Sequence, residues 1–336
     1  MEIHQVISVI DCHTEGEFAR VVVGGIRHIP GSTMAAKRVY AIEHLEGLRD
    51  FLTHEPRAPA SLAALILTEP THPDAHVGVL IMEPDTMVPM CGHGSIAVVK
   101  VVIETGMVSA QEPFTLVNLD TPAGLVRARA RVENGDVTDV TVQNVPSFAQ
   151  YLDLKLDVPD LGQVTVDLTY GGDYYIIVSA ESVGVEIVPE EIDHIIAIAA
   201  RIRAAFWREI RIRHPEDPAI NEVKYMVFSA PPTRPGATLK NVVVDTPGQI
   251  DHSPCGTGTC AKMAQLYARG ELGLHQEFVH EGILGTVFRG KLIDESRVGD
   301  FKAVVPEFSG RAYIVSMGQL VLDARDPFPT GISMIV

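Results

Sequence analysis

Three features of the 336-residue chain predict an α+β fold built from two similar halves. Apolar, β-branched runs of strand length come in series and do not alternate strictly with helices, which argues against a doubly wound sheet. The stretch "CGHGSIA" at Cys91–Ala97 returns 164 positions later as "CGTGTCA" at Cys255–Ala261. Each copy opens a segment of helical length that ends in glycine fifteen positions after its cysteine, at Gly106 and Gly270. The expectation is one large unit used twice: a curved mixed sheet around a buried helix whose N-terminus presents a cysteine.

The elements follow in order. "QVISVIDCHTEGEFARVVVGGI" reads as two strands, β-branched runs interrupted by glycine. A helix is expected from Ala41 to His54. "SLAALILTEP" and "HVGVLIMEP" are short, apolar and closed by proline, which reads as buried strands. After the first cysteine loop, "SIAVVKVVIETG" is apolar on nearly every side, the pattern of a buried helix. Strand patterning resumes from Phe114 to Val145, with Asn134-Gly135 as a hairpin turn, and "NVPS" at Asn144–Ser147 marks a boundary. The second half repeats this order: strands through "QVTVDLTYGGDYYIIVSA", an amphipathic helix from Pro189 to Arg213, more strands, the second cysteine loop and its helix.

At this length two domains are the default, because single cores stop growing earlier. With 46% hydrophobic and 21% charged residues, a packed core is feasible throughout. A formal charge of -16 would repel a phosphate backbone, so nucleic acid is excluded as a partner. The opening "MEIHQVISVIDCHTEGE" is acidic and polar where a secretory leader is basic and then apolar, and no run reaches the roughly eighteen apolar residues of a membrane span. A soluble cytoplasmic protein without membrane contact is expected. Four cysteines, Cys12, Cys91, Cys255 and Cys260, are too few for a disulfide scaffold, and neither CxxC nor HExxH spacing occurs, so no metal site is expected.

The chemistry sits in the paired loops. Glycine at the second and fourth positions permits a tight turn and close approach of a ligand, and Ser95 or Thr259 suits a helix cap. A helix N-terminus favours an anion such as a carboxylate and lowers the pKa of a nearby thiol. Two such cysteines on opposite faces of one carbon could remove a proton on one side and deliver one on the other, inverting configuration with no cofactor. Cys12 and Cys260 read as inert core, whereas Cys91 and Cys255 lie between proline-containing approaches and glycine, a setting suited to exposure of backbone. His93 could contact substrate or tune the first thiol, and Asp251 could hold a substrate ammonium. A cysteine hydrolase using Cys91 with His93 would leave the second loop unexplained, and a non-catalytic binding protein could use the same cradles.

"MCGHGSIAVV" and "DHSPCGTGTCAKMA", with "DCHTEGE", "GGDYYIIV" and "EFVHEGILGTVFRG", resemble the proline racemase family over nearly the whole chain. The resemblance implies a diaminopimelate-epimerase-like fold whose C-terminal segment returns to the first half, dividing the chain into 1–147 plus 320–336 and 148–319. It implies catalysis without pyridoxal phosphate or any other cofactor, with Cys91 and Cys255 as acid/base pair and Gly92, His93, Asp251, Gly256 and Thr257 as substrate-binding residues. Dehydratases of trans-3-hydroxy-L-proline in this family usually carry Thr or Ser in place of the second cysteine, so Cys255 favours racemisation or epimerisation. Aromatic residues typical of proline racemases near Ala63 and Asp245 are replaced here by smaller or more polar ones. That implies a pocket with room for a hydroxyl and an imino-acid substrate of the 4-hydroxyproline kind, with proline as the alternative. His252 stands where the family usually has arginine. A monomer or a homodimer is compatible with these readings.

Overall fold

The computed structural model describes residues 3–218, 220–246 and 248–332, with only the backbone of residue 4. It is α+β, as the patterning predicts, and divides into two compact units, Met1–Val142 with Gly310–Val336, and Gln143–Ser309. The divisions fall at 142/143 and 309/310, against the expected 147/148 and 319/320. The second lies earlier because the returning strand pairs with the first strand of the chain from Ala312 onward.

The first unit contains β1 (Ile3–Thr14), β2 (Glu17–Gly24), β3 (Ala63–Thr68), β4 (Val77–Met82), β5 (Phe114–Thr121), β6 (Gly124–Glu133) and β7 (Asp136–Gln143). The returning strand β16 (Ala312–Asp323) joins the edge, giving the order β16-β1-β2-β3-β4-β5-β6-β7. Neighbours run antiparallel except β2–β3 and β4–β5, which are parallel. Asn134 and Gly135 both have positive φ, 54° and 84°, as the β6–β7 turn requires.

Helix α3 (Gly92–Glu104) packs against β1, β2, β3, β6 and β16, so strands far apart in the sheet order curl around one helix. Its Val98, Val99, Val101 and Val102 are fully buried, each contributing roughly 1.5–3 kcal/mol of apolar transfer. The opposite sheet face is covered by α1 (Met34–His44) and α2 (Glu46–Thr53) over Ile7, Ala64, Ile66, Leu80 and Met82. The helix expected at Ala41–His54 is thus two helices. The first starts at Met34 because Thr33 caps it, accepting from Ala36 N at 3.1 Å, and the two meet at Leu45.

The second unit repeats the plan with β8 (Phe148–Val158), β9 (Gly162–Tyr170), β10 (Tyr174–Ser179), β11 (Tyr225–Ala230), β12 (Leu239–Val244), β13 (Phe278–Glu281), β14 (Val287–Val298) and β15 (Phe301–Gly310) in that order across the sheet. Parallel pairing again occurs at two places, β10–β11 and β12–β13. Helix α5 (Gly256–Ala268) is the wrapped helix and α4 (Ile192–Glu209) covers the other face; it is shorter than the expected 189–213 because Pro189–Glu191 is a 3-10 turn and the chain turns extended at Ile210. No helix among the described residues is long and apolar enough to cross a membrane.

Strand registers align the two units residue by residue. Ala64 pairs with Met82 as Met226 pairs with Val244, which makes Ala63 the counterpart of Tyr225. Ala19 pairs with Ala63 as Tyr175 pairs with Tyr225, which makes Ala19 the counterpart of Tyr175. A second repeated device lies outside the cysteine loops, in "PTHP" at Pro70–Pro73 and "PTRP" at Pro232–Pro235. In the first, an Asp120 oxygen accepts from Thr71 N, Thr71 Oγ1 and His72 N at 2.6–2.9 Å. In the second, Glu281 accepts from Thr233 N and Arg234 N, both at 2.8 Å, and from the Thr233 hydroxyl.

Candidate active site

In the first unit the chain leaves β4 and turns through Pro89 into α3, whose N-cap is Cys91 itself. Its backbone is extended, φ -136° and ψ 120°, and its Sγ accepts the Gly94 N–H at 3.4 Å. Ser95, expected as the cap, lies one turn in and donates its hydroxyl to Cys91 O at 2.7 Å. The cap falls to the cysteine because a sulfur at this position can take the orphan N–H that a hydroxyl would otherwise accept. A side chain on Gly94 would collide with Leu65 of β3 and approach Sγ to 3.0 Å, which accounts for the glycine.

His93 is buried beside the sulfur, with Nδ1 3.4 Å from Cys91 Sγ. Its Nε2 lies 3.2 Å from Phe18 O, and a carbonyl only accepts, so Nε2 carries the proton and Nδ1 is the acceptor facing the thiol. Burial pushes the imidazole pKa down, while Glu17 and the Phe18 carbonyl act in the opposite direction. Thr14 Oγ1 donates to His93 O at 2.9 Å, tying the helix tip to the β1–β2 hairpin.

In the second unit Cys255 caps α5 with the same sulfur contact, to Gly258 N–H at 3.4 Å. Its backbone differs: φ is 62° and ψ 115°, a sparsely populated conformation for a residue with a Cβ, costing roughly 1–3 kcal/mol. Flanking bonds hold it there. Cys255 N–H donates to Ser253 Oγ at 3.1 Å, the Ser253 hydroxyl donates to Asp251 Oδ1 at 2.7 Å, and Ser253 N–H reaches the same oxygen at 2.8 Å. Thr259, like Ser95, sits inside the helix; its hydroxyl contacts His280 Nδ1 at 2.9 Å.

Around the second sulfur the side chains are hydroxyls. Tyr175 Oη lies 3.5 Å from Cys255 Sγ and 2.5 Å from Thr257 Oγ1, and Thr257 Oγ1 is 3.8 Å from Sγ. The Tyr175 ring stacks on Tyr225 at 5.2 Å. Burial, then the Asp251 charge, pushes the Cys255 thiol well above its ordinary pKa, against hydrogen bonds from Tyr175, Gly258 N–H and Thr257. Cys12 and Cys260 are buried thiols, each pushed up to about 12 by burial first.

Of the residues expected in the site, Gly92 and His93 form the first turn of α3 with Cys91 as its cap, and Gly256 and Thr257 the first turn of α5 behind Cys255. Among the described residues the N–H groups of these four have no partner within the chain, leaving two orphan donors at each tip. Asp251 is half-buried in the approach to Cys255, beside the half-buried His252. Ala63 lies on the α3 side of β3, since Leu65 two residues on packs at Gly94 while Ala64 and Ile66 face the other core. Asp245 follows β12 on the face of Val243, which packs with Cys255; its Oδ1 takes the Gln249 N–H at 2.8 Å. Tyr175, Tyr225 and Ser253 were not singled out from sequence. Tyr175 and Ser253 fall within the stretches "GGDYYIIV" and "DHSPCG", whereas Tyr225, in "NEVKYMVFSA", had no such signal. Among the described residues no three His, Cys, Asp or Glu side chains are grouped as metal ligands would be.

Each tip therefore combines a sulfur, orphan N–H donors suited to a carboxylate, and a polar partner for the sulfur. A sequence profile described as Proline racemase matches residues 9–333. The chain is 45% identical to a 4-hydroxyproline 2-epimerase of Streptosporangium roseum over 331 residues, 98% of this chain and 99% of that protein. It is 41% identical to a proline racemase of Acetoanaerobium sticklandii over 335 residues, 99% of this chain and all of that one. A crystal structure of a hydroxyproline epimerase from Agrobacterium vitis with bound trans-4-hydroxy-L-proline superposes with a TM-score of 0.94 at 32% identity, covering 99% of this chain and 96% of that one.

Proposed function

The chain belongs to the proline racemase family and is an isomerase of diaminopimelate-epimerase-like fold, and from that premise we propose that it is a 4-hydroxyproline 2-epimerase. Cys91 and Cys255 act as its acid/base pair. The observation that carries the reading is the duplicated tip: two cysteines cap two matching helices, each sulfur held by the N–H three residues on.

The substrate carboxylate takes the orphan N–H groups of Gly92 and His93 or of Gly256 and Thr257, which also stabilise the negative charge that develops when the Cα proton leaves. One thiolate removes that proton, breaking C–H and forming S–H. The other thiol gives its proton to the opposite face, and the reverse reaction exchanges the roles. No electrons are exchanged with a cofactor. Asp251 holds the ring ammonium, and the small Ala63 leaves space for a ring hydroxyl. Cys91 comes from the unit Met1–Val142 with Gly310–Val336, and Cys255 from Gln143–Ser309.

The test is to incubate the protein with trans-4-hydroxy-L-proline in deuterium oxide. Deuterium enters Cα together with inversion; an unlabelled, uninverted substrate would end the reading. The 41% identical proline racemase supports a second reading, proline as substrate. Comparing kcat/KM for L-proline and trans-4-hydroxy-L-proline separates the two, and a preference for proline overturns the first.

A further inference from the structure

The geometry around the second sulfur points to a further catalytic residue. We infer that Tyr175 is the hydrogen-bond donor that holds the thiolate of Cys255, oriented by the hydroxyl of Thr257. The inference deepens the reading of Cys255 as an acid/base and rests on it for the word catalytic.

Tyr175 is fixed before it meets the sulfur. It lies in β10 between Thr169 of β9 and Tyr225 of β11, with its ring stacked on Tyr225 and almost no surface exposed. A Cβ at position 258 would approach the Tyr175 ring to 3.3 Å and Cys255 Sγ to 3.1 Å, so glycine there admits ring and sulfur together. The protons can be counted. Tyr175 and Thr257 hydroxyls are 2.5 Å apart and one proton lies between them. If Thr257 donates to Tyr175, the phenol proton is free to point at Sγ, 3.5 Å away, whereas Thr257 is itself too far at 3.8 Å to be the main donor. The phenol is a donor and not a base, because burial and the neighbouring Cys255 and Asp173 keep it protonated.

The surroundings make this donor matter. Burial and Asp251 both disfavour a thiolate at Cys255, and the Gly258 N–H is the other main group opposing them. The counterpart of Tyr175 in the first unit is Ala19, whose side chain carries no hydroxyl, and His93 stands at the sulfur of Cys91.

The experiment is alkylation by iodoacetamide at fixed pH, with Cys91 and Cys255 followed separately by peptide mass in the same sample. Tyr175→Phe keeps the ring and removes the donor. Losing a hydrogen bond to a charged group raises a thiol pKa by about one to two units, and the greater nucleophilicity of a more basic thiolate offsets part of that. Cys255 is therefore expected to react roughly three- to tenfold more slowly while Cys91 keeps its rate. Thr257→Val, which frees the phenol to turn away, gives a smaller fall in the same direction. Should the reagent not reach Cys255, thiolate absorbance near 240 nm in Cys91→Ser, with and without Tyr175→Phe, reads the same loss. An unchanged Cys255, or an equal slowing of both cysteines, overturns the inference. Neither readout requires turnover, so a failure here is distinct from a failure to epimerise hydroxyproline.

Discussion

Cys91 and Cys255 stand at the same step of the repeat and cap their helices through the same sulfur contact, but they differ in backbone conformation and in the side chains around the sulfur. The first has an extended backbone, the second a positive φ. Ala19 and Ala63 flank the first sheet position where Tyr175 and Tyr225 stack in the second. The partner of the first sulfur is an imidazole acceptor; those of the second are hydroxyls. The difference reaches down the helices. Val98 and Val101 of α3 match Lys262 and Gln265 of α5, and Gln265 bonds Asp167, which Arg269 also engages at 2.8 Å. The repeat keeps the backbone device at each helix tip, while the side chains around it diverge.

The largest effect should come from removing either sulfur. Cys91→Ala and Cys255→Ala are each expected to lower Cα exchange on the order of 10²–10⁴-fold, the usual weight of a positioned acid or base. If only one of them mattered, the equivalence at the heart of the comparison would be lost. A smaller effect is expected from making the first unit resemble the second at one position. Ala63→Tyr should lower kcat/KM for trans-4-hydroxy-L-proline about tenfold relative to L-proline, within the range a filled pocket imposes. An unchanged ratio would remove Ala63 from the specificity set.

The smallest concerns stability. His280 is fully buried where the first unit has Leu119, and burial drives its pKa down to about 3. A base with a depressed folded pKa contributes stability that is present above the unfolded value of about 6.5 and lost as pH falls from there towards 3. At pH 6 the loss is under about 1 kcal/mol. His280→Leu should flatten this acid limb in thermal unfolding measured from pH 7 to 5; an equal pH slope in both proteins would assign the acid sensitivity elsewhere.

The repeat itself was legible because its signal is local: a cysteine, two glycines and a closing glycine read the same in any context. Helix boundaries were less so. Thr33 caps α1 from a stretch without apolar periodicity, and nothing in the run across Leu45 announces that the helix divides there. Within the site the cysteines and their following turns could be named, but Tyr175 could not, because it reaches Cys255 across 80 positions through the register of three strands. The positive φ of Cys255 was equally hidden, since the same motif at Cys91 adopts a common conformation. Ser253 and Asp251 impose it from outside the motif.

The pairing of β16 with β1 sets an order of events during synthesis. All the residues of Gln143–Ser309 leave the ribosome before Ala312–Asp323, the strand that completes the first sheet edge beside β1. The unit with Cys255 can therefore close while the one with Cys91 still lacks a strand, and for that interval β1 presents an open row of amides and carbonyls, the kind of edge on which nascent chains misassociate.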